Sequence, residues 1–365
     1  MSEAVLLIGT RKGVVVGRSR QGRRHFELQP LQLMMNAVYG VGIDTRPETP
    51  RLFATAMSEH WGPSLHHSDD LGATWLEPDQ APIRFPEETG ASLARVWQVQ
   101  PAPANQPGVV YAGVEPHALF RSEDGGITFS LVEGLYSHPH RERWEPGGGG
   151  ACLHTIVPHP DDPAQMLVAM SAGGVYRTTD GGVTWNPGNK GIQAYWLPED
   201  QRFPEFGQCV HKVASHPTRP ERLFAQNHFG VYRSEDWGGS WEPIESGLPS
   251  TFGFPLVVHP SRPETLYLFP LVADAERMPP ERKCRVYRSE DAGGHWEPLN
   301  EGLPQEGYHA PVLRDAMCTD GGDPAGIYFG TRAGEVYASS DDGDSWHLVS
   351  EHLPDVLSVR AAVLE

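Results

Sequence analysis

One eight-residue pattern, Ser/Thr-x-Asp-x-Gly-x-(Thr/Ser)-(Trp/Phe), recurs six times along the chain, starting at Ser68, Ser122, Thr178, Ser234, Ser289 and Ser339. In the copy that starts at Ser289, His295 takes the place of the second hydroxyl, and Phe129 is the one aromatic that is not Trp. The central aspartates Asp70, Asp124, Asp180, Asp236, Asp291 and Asp341 are 54, 56, 56, 55 and 50 residues apart. A worn copy, Ser19 to Phe26, lies upstream with Gln21 in the Asp position, 49 residues before Asp70. A fixed period of this length marks a repeat architecture, in which each unit buries its apolar faces against its neighbours. It also explains how 365 residues can form one domain.

The pattern has a local physical reason. A carboxylate in a tight turn accepts hydrogen bonds from nearby backbone N–H groups, and glycine supplies the positive φ the turn needs. The closing aromatic can wedge between neighbouring sheets. Strand-like segments such as Gly174–Arg177, Val109–Ala112 and Leu256–His259 precede or flank the turns. Four strands per period predict an all-β, seven-bladed β-propeller with four-stranded antiparallel blades. The expected blades are 1–29 plus 358–365, 33–78, 92–133, 151–187, 208–246, 252–300 and 309–349, one domain over 1–365. Here the C-terminal segment Ser358–Leu364 is the innermost strand of the blade whose other three strands come from the N-terminus, which leaves no open edge.

The net charge of −18 argues against nucleic acid and anionic membrane surfaces as partners. Cys152, Cys209, Cys284 and Cys318 are too few for a disulfide framework, and the start has no basic leader. A soluble cytoplasmic protein with reduced thiols is expected.

The repeats resemble the Asp-box, or BNR, repeats of sialidases, xyloglucanases, sortilin-like receptors and photosystem II assembly factors. Segments such as Gly9–Gly13, Ser58–Pro63, Gly113–His117, Cys152–Ile156, Gln208–Lys212 and Gln226–Gly230 resemble bacterial single-propeller proteins of sialidase-like or glycosyl hydrolase-like type. The resemblance implies a propeller. It does not carry sialidase activity, since the Phe/Tyr-Arg-Ile-Pro segment of that family is missing. The repeat itself serves enzymes, receptors and assembly factors alike.

Function is expected on the rim opposite the repeated turns, where the loops stop repeating. The pairs His159-Pro160, His216-Pro217 and His259-Pro260 belong to the regular rim and read as turn structure. On the irregular rim, Arg11, Lys12, Trp61, Arg95, His117, Trp144, Asn227 and Arg332 are candidate ligand-binding residues. Cys152-Leu-His154 and Cys209-Val-His211 occupy equivalent places in adjacent blades, and i, i+2 positions of a strand share a face. With His60 and His228 from loops, His154 and His211 form a candidate set for Zn²⁺ or another divalent transition metal. The alternative is that both cysteines are small buried apolar groups and the histidines bond to loops. Glu59 and Glu115 are candidate acid and base for a glycosidic bond, with Trp61, Trp144 and Trp196 as stacking surfaces. These features predict a hydrolase or lyase acting on a small polar molecule or saccharide. The alternative is a non-catalytic module that docks a peptide or protein on the same rim.

Overall fold

The computed structural model describes residues 2–78 and 80–364. Its strands are, in order, β1 (Glu3–Thr10), β2 (Gly13–Ser19) and β3 (Glu27–Leu28); β4 (Ala37–Asp44), β5 (Arg51–Ser58) and β6 (Gly62–Ser68); β7 (Arg95–Pro101), β8 (Val110–Glu115), β9 (Ala118–Ser122) and β10 (Ser130–Leu131); β11 (Leu153–Pro158), β12 (Met166–Met170), β13 (Gly174–Thr178) and β14 (Asn186–Pro187); β15 (Val210–His216), β16 (Arg219–Asn227), β17 (Val231–Ser234) and β18 (Glu242–Pro243); β19 (Phe252–Val258), β20 (Leu266–Leu271), β21 (Val286–Ser289) and β22 (Glu297–Leu299); β23 (Val312–Thr319), β24 (Ile327–Thr331), β25 (Val336–Ser339) and β26 (His347–Ser350); and finally β27 (Val356–Leu364). The groups β7–β10, β11–β14, β15–β18 and β19–β22 are four-stranded antiparallel sheets, and β4–β6 is three-stranded. Leu76 bridges back to His67 beside β6 where a fourth strand would lie.

β27 pairs antiparallel with β1 from Glu3–Leu364 to Thr10–Val356, so the first sheet runs β27-β1-β2-β3. Its one link to β23 is a single parallel pair, Asp315 with Ser358. The innermost strands β27, β4, β7, β11, β15, β19 and β23 each adjoin the next, and β23 adjoins β27. Apolar side chains fill the gaps between consecutive sheets. Leu7 and Val16 meet Val38 and Leu52 in one gap, and Tyr267 and Phe269 meet Val312 and Phe329 in another. Leu6 and Ile8 meet Cys318 and Tyr328 where last sheet and first sheet adjoin. A strand with neighbours on both faces cannot alternate polar and apolar residues, and Leu6, Leu7 and Ile8 are all fully buried.

The repeated turns share one hydrogen-bond set. In the first clear copy Ser68 donates its hydroxyl to Asp70 Oδ1 (2.7 Å), and Gly72 N–H donates to Ser68 Oγ (2.8 Å). Thr74 then donates its N–H to Asp70 Oδ1 and its hydroxyl to Oδ2. The same bonds recur at Asp124, Asp180, Asp236 and Asp341, while Asp291 lacks only the last, because His295 has no hydroxyl. Hydrogen bonds led by Thr74 hold the Asp70 carboxyl down at about 2. Gly72 has φ +83°, and a Cβ there would meet Val16 Cγ2 of the preceding sheet at 2.5 Å, so glycine is required twice over. Trp241 and Trp296 bury themselves against the preceding sheet and donate Nε1–H to the carbonyls of Gly188 and Ile244. In the worn copy Gln21 offers no carboxylate, and Ser19 Oγ is buried without a partner. The three His-Pro pairs are turn structure. His159, His216 and His259 each accept N–H donors through Nδ1, from Asp161, Thr218 and Ser261.

Where the innermost strands meet, Lys212 Nζ and Arg360 Nη2 both reach Asp315 Oδ1, at 2.7 and 2.8 Å. Burial pushes the Asp315 carboxyl up, but the two cations outweigh it and hold it at about 2. This triad separates two cavities. One, of about 480 Å³, lies at the C-terminal ends of the innermost strands and includes Gln98, Thr155, Lys212, Leu256 and Arg360. The other, of about 410 Å³, lies at their N-terminal ends with Asp315 among its walls.

Candidate functional site

The second cavity is enclosed by the irregular loops. The turn after β1 supplies Arg11, the turn after β16 supplies His228, and the long insert between β20 and β21 supplies Asp274 and Arg277. The starts of the innermost strands add Tyr39, Arg95, Trp97, Phe252, Phe254 and Arg314. Gly148 and Gly149, from the four-glycine run, complete one wall. Gly150 closes that run at φ +107°, and a Cβ on it would sit 2.3 Å from Glu115 Oε1.

Cys209, His211 and His228 place one ligand atom each within 4.8 Å of one another. His211 Nδ1 lies 2.6 Å from the carbonyl oxygen of Gly253. A carbonyl only accepts, so Nδ1 carries the proton and Nε2 presents a lone pair, 3.6 Å from Cys209 Sγ. That fixed tautomer is the arrangement by which proteins orient a metal-ligating histidine. Burial, reinforced by the positive charge of Arg314, keeps His211 well below its ordinary pKa and therefore neutral. Burial also lowers His228, although Asp274 Oδ2, 3.5 Å from Nε2, pulls the other way. The Cys209 thiol is pushed up by burial and partly drawn back by Arg314.

Two of the four expected metal ligands are therefore together, with Cys209 as the third group, and two are not. His154 is fully buried and has both ring nitrogens occupied, Nε2 at the carbonyl of Val210 (2.9 Å) and Nδ1 at Thr155 Oγ1 (3.0 Å). Its sequence neighbour Cys152 turns to Ser171 Oγ instead (3.2 Å). Both strands carry the same slip, between Leu153 and Thr155 in β11 and between Val210 and Lys212 in β15. What differs is the ring nitrogen used: His154 spends Nε2 on the Val210 carbonyl and Nδ1 on Thr155, whereas His211 spends Nδ1 on the Gly253 carbonyl and turns Nε2 to Cys209. His60 sits in the exposed turn after β5 and is not part of the cavity wall.

The other candidates divide in the same way. Arg11, Arg95 and Arg332 line the cavity. Arg11 and Arg332 share Asp355, and Arg95 lies over the Tyr39 and Trp97 rings beside Glu115. Lys12 projects from its turn into solvent. His117 is buried with Nε2 at the Ser171 carbonyl, and burial drives its pKa to about 4. Trp144 is core, donating to Tyr176 Oη at 2.8 Å, so it is no stacking surface. Asn227 is buried and donates to the carbonyls of Gln193 and Phe229. Trp61 is 92% exposed and, like Glu59, outside the cavity wall. Glu115 accepts from Trp97 Nε1 at 3.1 Å and does not line the cavity either, so no Glu59–Glu115 pair spans it. Trp196, about half exposed, stands edge-on to His228 at 6.2 Å, with Phe229 and Tyr195 beside it. That aromatic ledge is the surface a sugar ring could stack on.

Arg314, Arg277, Asp274 and Trp97 were not singled out from sequence. The signal for the first was the charged pair Arg314-Asp315 inside an otherwise apolar strand, and for the second and third the length of the insert from Pro270 to Lys283.

No family model matches the chain. A xyloglucanase of Hypocrea jecorina (strain QM6a) is 25% identical over 291 residues, which is 71% of this chain and 32% of that enzyme. The chain thus spans about a third of the length of that relative. An ancestral GH74 enzyme superposes with a TM-score of 0.56 at 15% identity, covering 86% of this chain and 38% of that one. YCF48 bound to D1 peptide superposes with a TM-score of 0.53 at 14% identity, covering 86% and 82%. The fold is a β-propeller. Its sheets, turns and radial packing now have that name, and the propeller's irregular rim holds the cavity.

Proposed function

We propose that this chain is a closed seven-bladed Asp-box propeller that acts as a hydrolase or lyase on a saccharide, with a divalent transition metal at Cys209, His211 and His228. The circuit of seven adjoining innermost strands and the β27–β1 pairing support the closed ring. The similarity to a xyloglucanase supports a glycosyl hydrolase-like chemistry. The observation that carries the assignment is the convergence of one thiol and two neutral imidazoles in one cavity, with Trp196 outside its wall and edge-on to His228. Cys209, His211 and His228, a mixed N/S set of three, would hold Zn²⁺, which would supply Lewis-acid activation of a water or substrate oxygen. Within the chain, the Gly253 carbonyl orients His211, Asp274 orients His228, and Arg314 favours the Cys209 thiolate that ligation requires. The four free cysteines suit a reducing compartment such as the cytoplasm.

The test is elemental analysis of protein purified without a histidine tag and reconstituted with Zn²⁺, paired with turnover of a saccharide panel that includes xyloglucan oligosaccharides. About one equivalent of metal is expected, lost in Cys209→Ser and His228→Ala. Failure to take up any metal after reconstitution overturns the metal centre. A second reading, a non-catalytic peptide-binding propeller, is favoured by the size match to YCF48. Ligand binding by the loaded protein without turnover of any saccharide would decide for it.

A further inference from the structure

The cavity is basic inside a strongly acidic protein. Five arginines line it against two aspartates, in a chain of net charge −18. Three of the five have carboxylate partners: Arg11 and Arg332 share the single charge of Asp355, and Arg95 meets Glu115. Of the lining aspartates, Asp315 is taken by Lys212 and Arg360, and Asp274 Oδ2 lies 3.5 Å from His228 Nε2. Arg314 and Arg277 are left, and among the described residues neither has a carboxylate within ion-pairing distance. Arg277 donates only to the main-chain carbonyl of Asp274 and lies over Phe254 at 5.3 Å. Arg314 has one polar contact, Ser171 Oγ at 3.4 Å, and its Nε is buried without an acceptor. Burying part of the Arg314 guanidinium without a counter-charge is costly, and a ligand's anionic group would relieve that cost, while Arg277 is exposed and free to turn to the same ligand. The fork of an arginine side chain matches carboxylate and phosphate oxygens bidentately.

We infer that the ligand of this cavity carries an anionic group, a carboxylate or a phosphate ester, received by Arg314 and Arg277 while its sugar ring lies toward Trp196. This rests on the cavity being the saccharide site proposed above, and it names the class of saccharide: an acidic one. It needs neither the metal nor turnover. The two arginines approach from different elements, β23 and the β20–β21 insert, and share one wall with Cys209 and His211. An acidic surface elsewhere repels anions, so attraction is confined to this opening.

Calorimetric titration of the metal-free chain with three probes tests it: a digalacturonate, glucose 6-phosphate and a neutral xyloglucan heptasaccharide. At least one anionic probe should bind ten-fold or more tighter than the neutral one, and the tighter of the two tells carboxylate from phosphate. Arg314→Gln should weaken that probe at least ten-fold and leave the neutral probe unchanged. Arg277→Gln, on the loop insert, should do likewise with no change in thermal unfolding, which guards against a folding defect in the first variant. Neutral binding equal to or tighter than both anionic probes overturns the inference while leaving the saccharide enzyme standing. Anionic binding by a protein that turns over no saccharide supports the inference and overturns the enzyme. Failure of all three probes to bind overturns the inference.

Discussion

The two rims of the propeller are built from the same strands and follow opposite rules. On the regular rim each repeated turn closes its core bonds locally, with Ser68, Asp70 and Thr74 bonded to one another and to the backbone within seven residues. Its links to the neighbouring sheet also repeat, as Arg51 to the Gly125 carbonyl and Arg233 to that of Ala292. On the irregular rim, polar atoms are satisfied across sheets, as when His211 reaches Gly253 or Arg332 reaches Asp355, and some are left over. Turns whose local and cross-sheet bonds are alike in every copy can be repeated around a ring. Groups whose cross-sheet partners differ from one sheet to the next cannot, and that variety is what lets unlike residues converge on one cavity.

The largest test of this contrast is the triad between the two cavities. Asp315→Asn would leave Lys212 and Arg360 as buried cations without a counter-charge, which costs about 3–5 kcal/mol, read as a lower urea midpoint. The same site predicts an acid limb. The Asp315 carboxyl sits lower in the folded chain than in the unfolded one, so its contribution is present above pH ~4 and is lost as pH falls toward 2. Equilibrium unfolding between pH 5 and 2 should show this loss, and Asp315→Asn should flatten it.

A smaller effect separates binding from folding. Trp196→Ala should weaken saccharide binding by about 1 kcal/mol, the scale of an aromatic stacking contact, with unfolding unchanged because the ring is half exposed. Titration calorimetry beside thermal melts would show it. Conversely, Asp124→Ala on the regular rim should lower stability by about 1 kcal/mol through lost turn hydrogen bonds and leave every ligand affinity alone. The smallest effect repairs the worn turn. Gln21→Asp gives the buried Ser19 Oγ an acceptor, and a gain of about 0.5 kcal/mol is expected in the urea midpoint.

These same rules decide what was legible beforehand. The sheets could be drawn from the sequence because each turn carries its chemistry within eight residues, and six copies repeat it. The rim that holds the cavity followed from where repetition stops, and His211 with His228 from their places on it. His154 was misplaced because both of its ring nitrogens are taken, by the Thr155 hydroxyl and by the Val210 carbonyl of the next sheet, and a bond to another sheet leaves no local sign. Trp144, His117 and Asn227 looked like rim groups but are buried scaffolding, since sequence position fixes the loop and not the direction of the side chain. Arg314 was overlooked for the opposite reason: its meaning lies in the carboxylates that other arginines have taken, a fact spread over the whole ring.

The buried triad of Lys212, Asp315 and Arg360 also sets what the cavity above it can receive. Its charges stand at the inner end of the cavity, where paired cations and carboxylate hold one another in place, so a ligand's polar groups meet a fixed ionic end and not an apolar one.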